Sequence, residues 1–124
     1  MELHASGEDY LEAIMLLKQK NGEVRSVDLA RHMGFSKASI SRAVALLRDG
    51  GFVRMEEDGD LDLTEIGLEV AKKIYERHCF FRQQLLDAGV APEIAEDEAC
   101  RMEHILSEES FEKLKDSLNG EQHK

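Results

Sequence analysis

Three short motifs in this chain carry side chains of the types that ligate divalent metal ions. The candidate ligands are Asp9, Glu12, His78, Cys100, Glu103 and His104. The first two are spaced i, i+3, the third stands alone, and the last three form a Cys-x-x-Glu-His motif that lies on one face of a predicted helix. Together they offer three carboxylates, two imidazoles and a thiolate, a mixed donor set suited to a divalent transition metal.

Each candidate ligand also has an ordinary structural interpretation. Asp9 stands three residues after Ser6, where it can complete a helix-capping arrangement, and Glu12 suits a solvated face. A single histidine such as His78 is more often a surface or hydrogen-bonded core residue, and Cys100 alone suits a small buried apolar position. The joint occurrence of the three motifs beside a helix-turn-helix pattern is what favours the metal interpretation.

The N-terminal part of the chain has the pattern of a helix-turn-helix. Apolar residues at helical spacing predict three helices, over residues 6–20, from 27 to 33, and from about residue 37 to the glycine pair at 50–51. Ser26 is expected to cap the second helix, and Gly34 lies in the tight turn before the third. Small polar and basic residues at the start of that third helix are typical of a helix that enters the DNA major groove.

The rest of the pattern predicts a wing and three further helices. Residues 52–55 and 61–63 read as strands of a hairpin, and Thr64 is expected to cap a long helix to about residue 88. Pro92 marks a helix through residue 105, and a last helix follows. We therefore expect a mainly α fold, with a winged helix-turn-helix DNA-binding domain over residues 1–70 and an α-helical metal-binding and dimerisation domain over residues 71–124.

Charge is unevenly distributed along the chain. The formal net charge is −10, yet residues 25–54 contain six basic and two acidic side chains, a local charge of +4 against −14 for the remainder. A basic island in an acidic chain can hold phosphate locally. The candidate DNA contacts are Ser36, Lys37, Ala38, Ser39, Ser41 and Arg42 of the third helix and Arg54 of the wing. Ser36 also fits as that helix's N-cap, and the other serines also fit as solvated residues.

Other classes of protein are disfavoured by the composition. Two cysteines are too few for a disulfide framework, and no segment is apolar enough to span a membrane, so we expect a cytoplasmic protein with no membrane partner. The ligand set would nearly saturate a metal, and no phosphate loop or nucleophile elbow is present, so we expect no enzyme activity rather than a small metallohydrolase. A purely structural adaptor would not need the basic island.

These segments resemble the diphtheria toxin repressor family of metal-dependent regulators, most closely its short manganese-transport repressor branch. The resemblance is carried by residues 8–14 (EDYLEAI), the helix-turn-helix and wing, Arg77-His78, and above all residues 97–104 (DEACRMEH). It implies a homodimer that binds palindromic double-stranded operator DNA and represses metal-uptake genes when Mn(II) or Fe(II) is bound. It also implies one or two ions per chain, held by the six candidate ligands. A winged-helix regulator that senses a small organic ligand without metal is the alternative.

The chain departs from the family pattern at three positions. Manganese responders often carry glutamate at the position of Cys100, whereas iron responders carry the cysteine but usually methionine at the position of Asp9. Cysteine favours Fe(II), Co(II), Ni(II) or Zn(II), and aspartate favours Mn(II), so the two sets are mixed here. Arg82 replaces a glutamate that is often a ligand, which predicts an altered ancillary site.

The resemblance suggests how metal would control DNA binding. Without metal, Asp9, Glu12 and Glu103 would repel one another, at a cost on the order of a few kcal/mol in a partly buried setting. A cation would turn this repulsion into a clamp on the first helix and set two recognition helices ~34 Å apart in the dimer. The candidate dimer residues are Ile94, Ile105, Leu106, Phe111 and Leu114, with intrachain core as their alternative.

Overall fold

The computed structural model describes residues 5–122, with side chains to residue 118, so the first four and last two residues of the expected domains lie outside it. The described elements are α1 (Ala5–Asn21), α2 (Ser26–Met33), α3 (Lys37–Asp49), β1 (Val53–Met55), β2 (Leu61–Leu63), α4 (Glu65–Asp87), α5 (Pro92–Met102) and α6 (Glu108–Gln122). The expected mainly α fold is confirmed. The chain divides into two compact units, Met1–Tyr75 and Glu76–Lys124. None of the described helices has the length and apolar character that crossing a membrane requires.

In the first unit, α1, α2 and α3 pack around one apolar core. The side chains with no exposed surface include Leu11, Ile14, Val24, Leu29, Ile40 and Leu61. The chain turns sharply after α2 because Gly34 adopts left-handed backbone angles (φ 73°, ψ 27°) and donates its N–H to the carbonyl of Ala30. A side chain with a Cβ rarely takes this conformation, which explains the glycine between the two helices. The predicted helix-turn-helix is therefore present.

The start of α2 differs from the prediction. The capping residue is Arg25 rather than Ser26, with extended backbone angles (φ −107°, ψ 164°). The N–H of Arg25 donates to Oδ2 of Asp28 at 3.0 Å, and its carbonyl accepts from the N–H of Leu29 at 3.1 Å. Because the carboxylate of Asp28 accepts from the N–H of Arg25, Arg25 is the cap and Ser26 is the first helical residue. The helix therefore begins one residue earlier than a cap at Ser26 predicts.

The wing is anchored by a carboxylate in its hairpin. β1 and β2 pair antiparallel, with Val53 opposite Leu63. Between them, Asp60 accepts from Nζ of Lys18 at 2.8 Å and from the backbone N–H of Val24 at 2.9 Å. The hydrogen bond from Lys18, followed by that from Val24, holds the pKa of Asp60 below its usual range. These bonds tie the hairpin to α1 and to the segment before α2.

The start of α4 lies directly against the backbone of the hairpin. Oγ1 of Thr64 donates to the carbonyl of Gly51 at 2.7 Å and accepts from the N–H of Gly67 at 3.1 Å, so Thr64 caps α4 as predicted. The N–H of Thr64 donates to the carbonyl of Phe52 at 3.1 Å. A Cβ on Gly67 would lie 2.0 Å from that same oxygen. Only glycine at this position allows the helix to approach so closely.

The second unit has its own small core. It contains the later part of α4 with α5 and α6, which pack around Phe81, Ala99 and Phe111. The guanidinium of Arg77 lies 5.3 Å from the centre of the Phe111 ring, and its Nη1 donates to the carbonyl of Leu106 at 2.6 Å. Arg77 therefore ties α4 to the connection between α5 and α6.

The five candidate dimer residues fall into two groups. Phe111 is 2% exposed and Leu106 packs against it, so these two side chains belong to the core of their own unit. Ile94, Ile105 and Leu114 are exposed by 52%, 75% and 40%. These three leave apolar surface that a second copy can cover.

Candidate metal centre and DNA-binding surface

Three of the six candidate ligands converge in the second unit. Nδ1 of His78 lies 3.0 Å from Oε2 of Glu103 and 3.8 Å from Sγ of Cys100. One donor atom from each residue lies within 4.8 Å of the other two. Because Zn–N and Zn–S bonds are about 2.0–2.3 Å long, donor atoms around a tetrahedral ion are roughly 3–4 Å apart. The two distances from His78 fall in this range, so the three donors lie close enough together to share one ion.

The three donors are positioned by two helices and a turn. His78 belongs to α4 and Cys100 to α5, whereas Glu103 caps the C-terminal end of α5 and donates its N–H to the carbonyl of Ala99 at 3.1 Å. The prediction of one helix through residue 105 is therefore wrong, because the chain leaves the helix after Met102. Nη1 of Arg77 donates to the carbonyl of Glu103 at 3.3 Å, in addition to that of Leu106, and so holds this turn in place.

Glu103 has an unsatisfied side-chain oxygen. Its side chain is completely buried, and Oε2 is engaged by His78. Oε1 has no hydrogen-bond donor among the described residues; Nε2 of His104 approaches it to 3.3 Å as an ion pair only. A buried carboxylate oxygen without a donor is costly, and a bound cation would remove that cost. The residues present therefore fit a divalent metal ion.

The surroundings of His78 favour its charged form when no metal is bound. The hydrogen bond with Cys100, then that with Glu103, and the charges of Glu103 and Glu96 raise the pKa of His78 to about 11, although burial of the ring opposes the shift. A proton on Nδ1 therefore competes with a metal ion for the same lone pair. Metal binding at this centre must displace it, because only an unprotonated ring nitrogen is a ligand.

The remaining candidate ligands have a different status. His104 lies beside Glu103 in the same turn and is partly buried. Asp9 and Glu12 lie one turn apart on α1, in the first unit, and both are partly buried. The participation of these three residues in the metal centre stays a prediction.

Two charged residues beside His78 were not among the predicted site residues. Oε1 of Glu96 lies 2.9 Å from Nε2 of His78, and Oε2 of Glu96 lies 3.2 Å from Nε of Arg82. Helical spacing could have indicated them, because Glu96 precedes Cys100 by four residues and Arg82 follows His78 by four, which places each residue on the same helix face as a candidate ligand. The family resemblance marked Arg82 only as the replacement of a frequent glutamate ligand, whereas the structure shows it paired with Glu96.

The predicted DNA-binding residues lie on the outer face of α3. Ile40, Val44 and Leu47 are buried on the inner face, and the exposed candidates are Ser36, Lys37, Ala38, Ser41 and Arg42. Oγ of Ser36 accepts from the N–H of Ser39 at 3.2 Å and so caps the helix, and it donates to Oγ of Ser39 at 3.0 Å.

The cations of this surface differ in their partners. Lys37 and Arg42 make no ion pair with any residue that the structure describes, whereas Arg54 of the wing lies 3.6 Å from Asp62. Unpaired cations at the start of an exposed helix suit phosphate or guanine contact. Direct DNA contact by the seven candidates stays a prediction.

Comparison with known protein families finds a match for each part of the chain. Residues 2–61 match the iron dependent repressor family's N-terminal DNA binding domain, and residues 64–123 match its metal binding and dimerisation domain. Two relatives are each 36% identical. They are the uncharacterised HTH-type transcriptional regulator MJ0568 of Methanocaldococcus jannaschii, over 87% of this chain and 88% of its own, and the transcriptional regulator MntR of Escherichia coli, over 85% and 68%.

The fold is also found among solved structures. The manganese regulator SloR superimposes with a TM-score of 0.82 and 25% identity, over 96% of this chain. The chain spans only 55% of the SloR chain's length. The two matching domains and the identity over most of the chain show that this protein belongs to the diphtheria toxin repressor family of metal-dependent transcriptional repressors, and is similar to its short MntR-like members.

Proposed function

We propose that this protein is a homodimeric repressor that binds palindromic operator DNA when Mn(II) or Fe(II) occupies the centre formed by His78, Cys100 and Glu103, and that it controls genes of metal-ion homeostasis. The observation that carries the proposal is the buried Glu103 carboxylate, whose Oε1 has no hydrogen-bond donor among the described residues. A bound ion would give this oxygen the partner that it lacks. The organic-ligand alternative is not favoured, because the family is metal-dependent.

The three donor atoms of the centre indicate which metal ions it suits. Cys100 supplies a soft sulfur, and His78 supplies a nitrogen of the kind that suits iron, zinc and copper, while Glu103 supplies an oxygen. Asp9, Glu12 and His104 complete the proposed ligand set, with one or two ions per chain. Family members are described as iron dependent, and SloR as a manganese regulator, so Fe(II) and Mn(II) are the ions to test first.

Three exposed apolar side chains support the homodimer. Ile94, Ile105 and Leu114 lie in the part of the chain that matches a dimerisation domain. In a symmetric dimer the two α3 helices would enter major grooves about one helical turn, ~34 Å, apart, which requires a palindromic site. Because the named relatives are transcriptional regulators, we assign the protein a regulatory rather than a catalytic role, acting on DNA in the cytoplasm.

The energetic requirement on the metal is small. A hundredfold change in operator affinity corresponds to about 2.7 kcal/mol, which a ligand supplies if it binds the DNA-competent state a hundredfold more tightly. Neutralising one buried carboxylate is enough to contribute on this scale. His78 would supply one ring nitrogen to the ion, Cys100 a thiolate sulfur and Glu103 a carboxylate oxygen.

The decisive experiment is to measure DNA binding with and without metal. An operator is first selected from a random duplex library by the protein in the presence of Mn(II) or Fe(II) under anaerobic conditions. Fluorescence anisotropy then compares the parent, the double variant Cys100→Ser with Glu103→Gln, and Glu98→Gln. Glu98 lies exposed on α5 outside the cluster and makes the matched control.

The parent and the control are expected to bind the selected duplex at least a hundredfold more tightly with metal than without. The double variant should lose this difference while keeping the fold, as judged by circular dichroism. Full metal dependence in the double variant would show that the centre is not the sensor. Single variants Asp9→Asn and Glu12→Gln then test the α1 ligands through the metal affinity itself.

A further inference from the structure

Both ring nitrogens of the buried His78 are occupied by groups on α5 or the turn after it. Nδ1 faces Cys100 and Glu103, the two other members of the donor cluster, while Nε2 lies 2.9 Å from Oε1 of Glu96. His78 as a whole residue is only 7% exposed. The ring therefore presents Nδ1 to the donor cluster and Nε2 to a carboxylate that the cluster does not include.

Glu96 is itself held by a second residue of α4. Its Oε2 lies 3.2 Å from Nε of Arg82, one helical turn after His78. Each carboxylate oxygen of Glu96 thus has one partner on α4, and the pair spans the gap between α4 and α5 next to the ring. The two side chains are 47% and 56% exposed. A half-exposed ion pair of this kind contributes little to stability, so its effect is expected in the orientation of His78.

A carboxylate at Nε2 has a defined consequence for a metal-binding histidine. When the ring carries one proton, the carboxylate keeps it on Nε2 and leaves the lone pair on Nδ1. Arginine stays protonated and cannot ligate a metal, and its charge offsets that of Glu96. Glu96 is thereby engaged on both oxygens, away from the donor atoms of Cys100 and Glu103.

From this geometry we propose that Glu96 and Arg82 are positioning residues of the metal centre: Glu96 orients His78 so that Nδ1 is the ligating atom, and Arg82 holds Glu96 in place. The inference rests on the proposed function, since it assigns roles around the same centre. It predicts that this chain's centre depends on a carboxylate that does not contact the metal.

The test uses Co(II) and Zn(II) as probe metals with the full chain. The variants are Glu96→Gln and Arg82→Gln. The matched controls are Asp97→Asn and Arg101→Gln, which change an exposed ion pair of α5 in the same way. Co(II) affinity is measured by titration of its absorption, including the thiolate charge-transfer band. The protonated ring nitrogen of His78 is read from long-range proton–nitrogen spectra of the Zn(II) form labelled with ¹⁵N-histidine.

Glu96→Gln is expected to weaken Co(II) binding roughly 10–100-fold, the usual effect of losing such a partner. Arg82→Gln should weaken Co(II) binding by less. In both variants the thiolate band should remain when Co(II) is bound, and the melting temperature without metal should equal that of the control variants. In the parent Zn(II) form, the proton should lie on Nε2 of His78 and the metal on Nδ1.

Two results would overturn the inference while leaving the metal centre intact. One is that Glu96→Gln and Arg82→Gln bind Co(II) as tightly as the parent does. The other is a Zn(II) form in which Nε2 of His78 carries the metal, because Glu96 would then be a ligand or displaced. A parent that binds neither metal would instead refute the proposed function itself.

Discussion

Replacing Gly67 by alanine tests how tightly α4 is docked on the wing. In an exposed helix this change stabilises by about 1 kcal/mol, since alanine is the better helix former. Here the new Cβ would lie 2.0 Å from the carbonyl oxygen of Phe52 and 3.0 Å from its carbon, against an ordinary carbon–oxygen contact of about 3.3 Å. The helix start or the hairpin backbone must therefore shift by about 1 Å or more.

That shift removes the interactions that seat the helix. The N–H of Thr64 donates to Phe52 at 3.1 Å, and Oγ1 of Thr64 donates to Gly51 at 2.7 Å. Each is worth about 0.5–1.5 kcal/mol net, and the cap of α4 by Thr64 about 1 kcal/mol more. After subtracting the gain in helix propensity, we expect Gly67→Ala to lower the free energy of unfolding by about 2 kcal/mol.

The measurement is urea denaturation of the metal-free protein, followed by circular dichroism. The control is Lys72→Ala, at an exposed position of the same helix, which should change stability by less than about 0.5 kcal/mol. If Gly67→Ala is as stable as the parent or more so, α4 does not press against the backbone of Phe52 and the docking described above is wrong.

Three further predictions concern pH and DNA. Because the pKa of Asp60 is lowered in the fold, the ionised carboxylate stabilises the protein above its unfolded pKa, and this stabilisation is lost as pH falls. The melting temperature of Asp60→Asn should therefore fall less on acidification than that of the control Asp49→Asn. The pKa of His78 is raised instead, to about 11, so its effect on stability has the opposite pH dependence: protonated His78 stabilises the metal-free protein fully below about pH 6.5, and this stabilisation is lost as pH rises through 11. Urea denaturation across this range should show the loss in the parent and not in His78→Gln. Arg42→Ala should weaken duplex binding and reduce the slope of log affinity against log salt by about 1, whereas Arg31→Ala, whose side chain lies near Asp28, should leave the slope unchanged.

Local patterns in the sequence determined most of the architecture. The helix-turn-helix, the wing and the three later helices follow from apolar spacing, glycine punctuation and the caps Ser36 and Thr64, because such signals act within one or two turns of chain. The same locality explains the errors. Ser26 looked like a cap, but the carboxylate of Asp28 satisfies Arg25 instead, and the i, i+4 spacing to His104 suggested a helix that the turn at Glu103 ends.

The sequence by itself also determined which side chains were available for metal chemistry, since their types and the family resemblance singled them out. Only the tertiary structure decided that His78, some 22–25 residues from its partners, meets Cys100 and Glu103 at 3–4 Å. It also decided that Glu96 and Arg82 flank the ring, and that Gly67 lies against a backbone carbonyl. The physical reason is that contacts between distant segments depend on how helices pack in three dimensions, which local propensity does not encode.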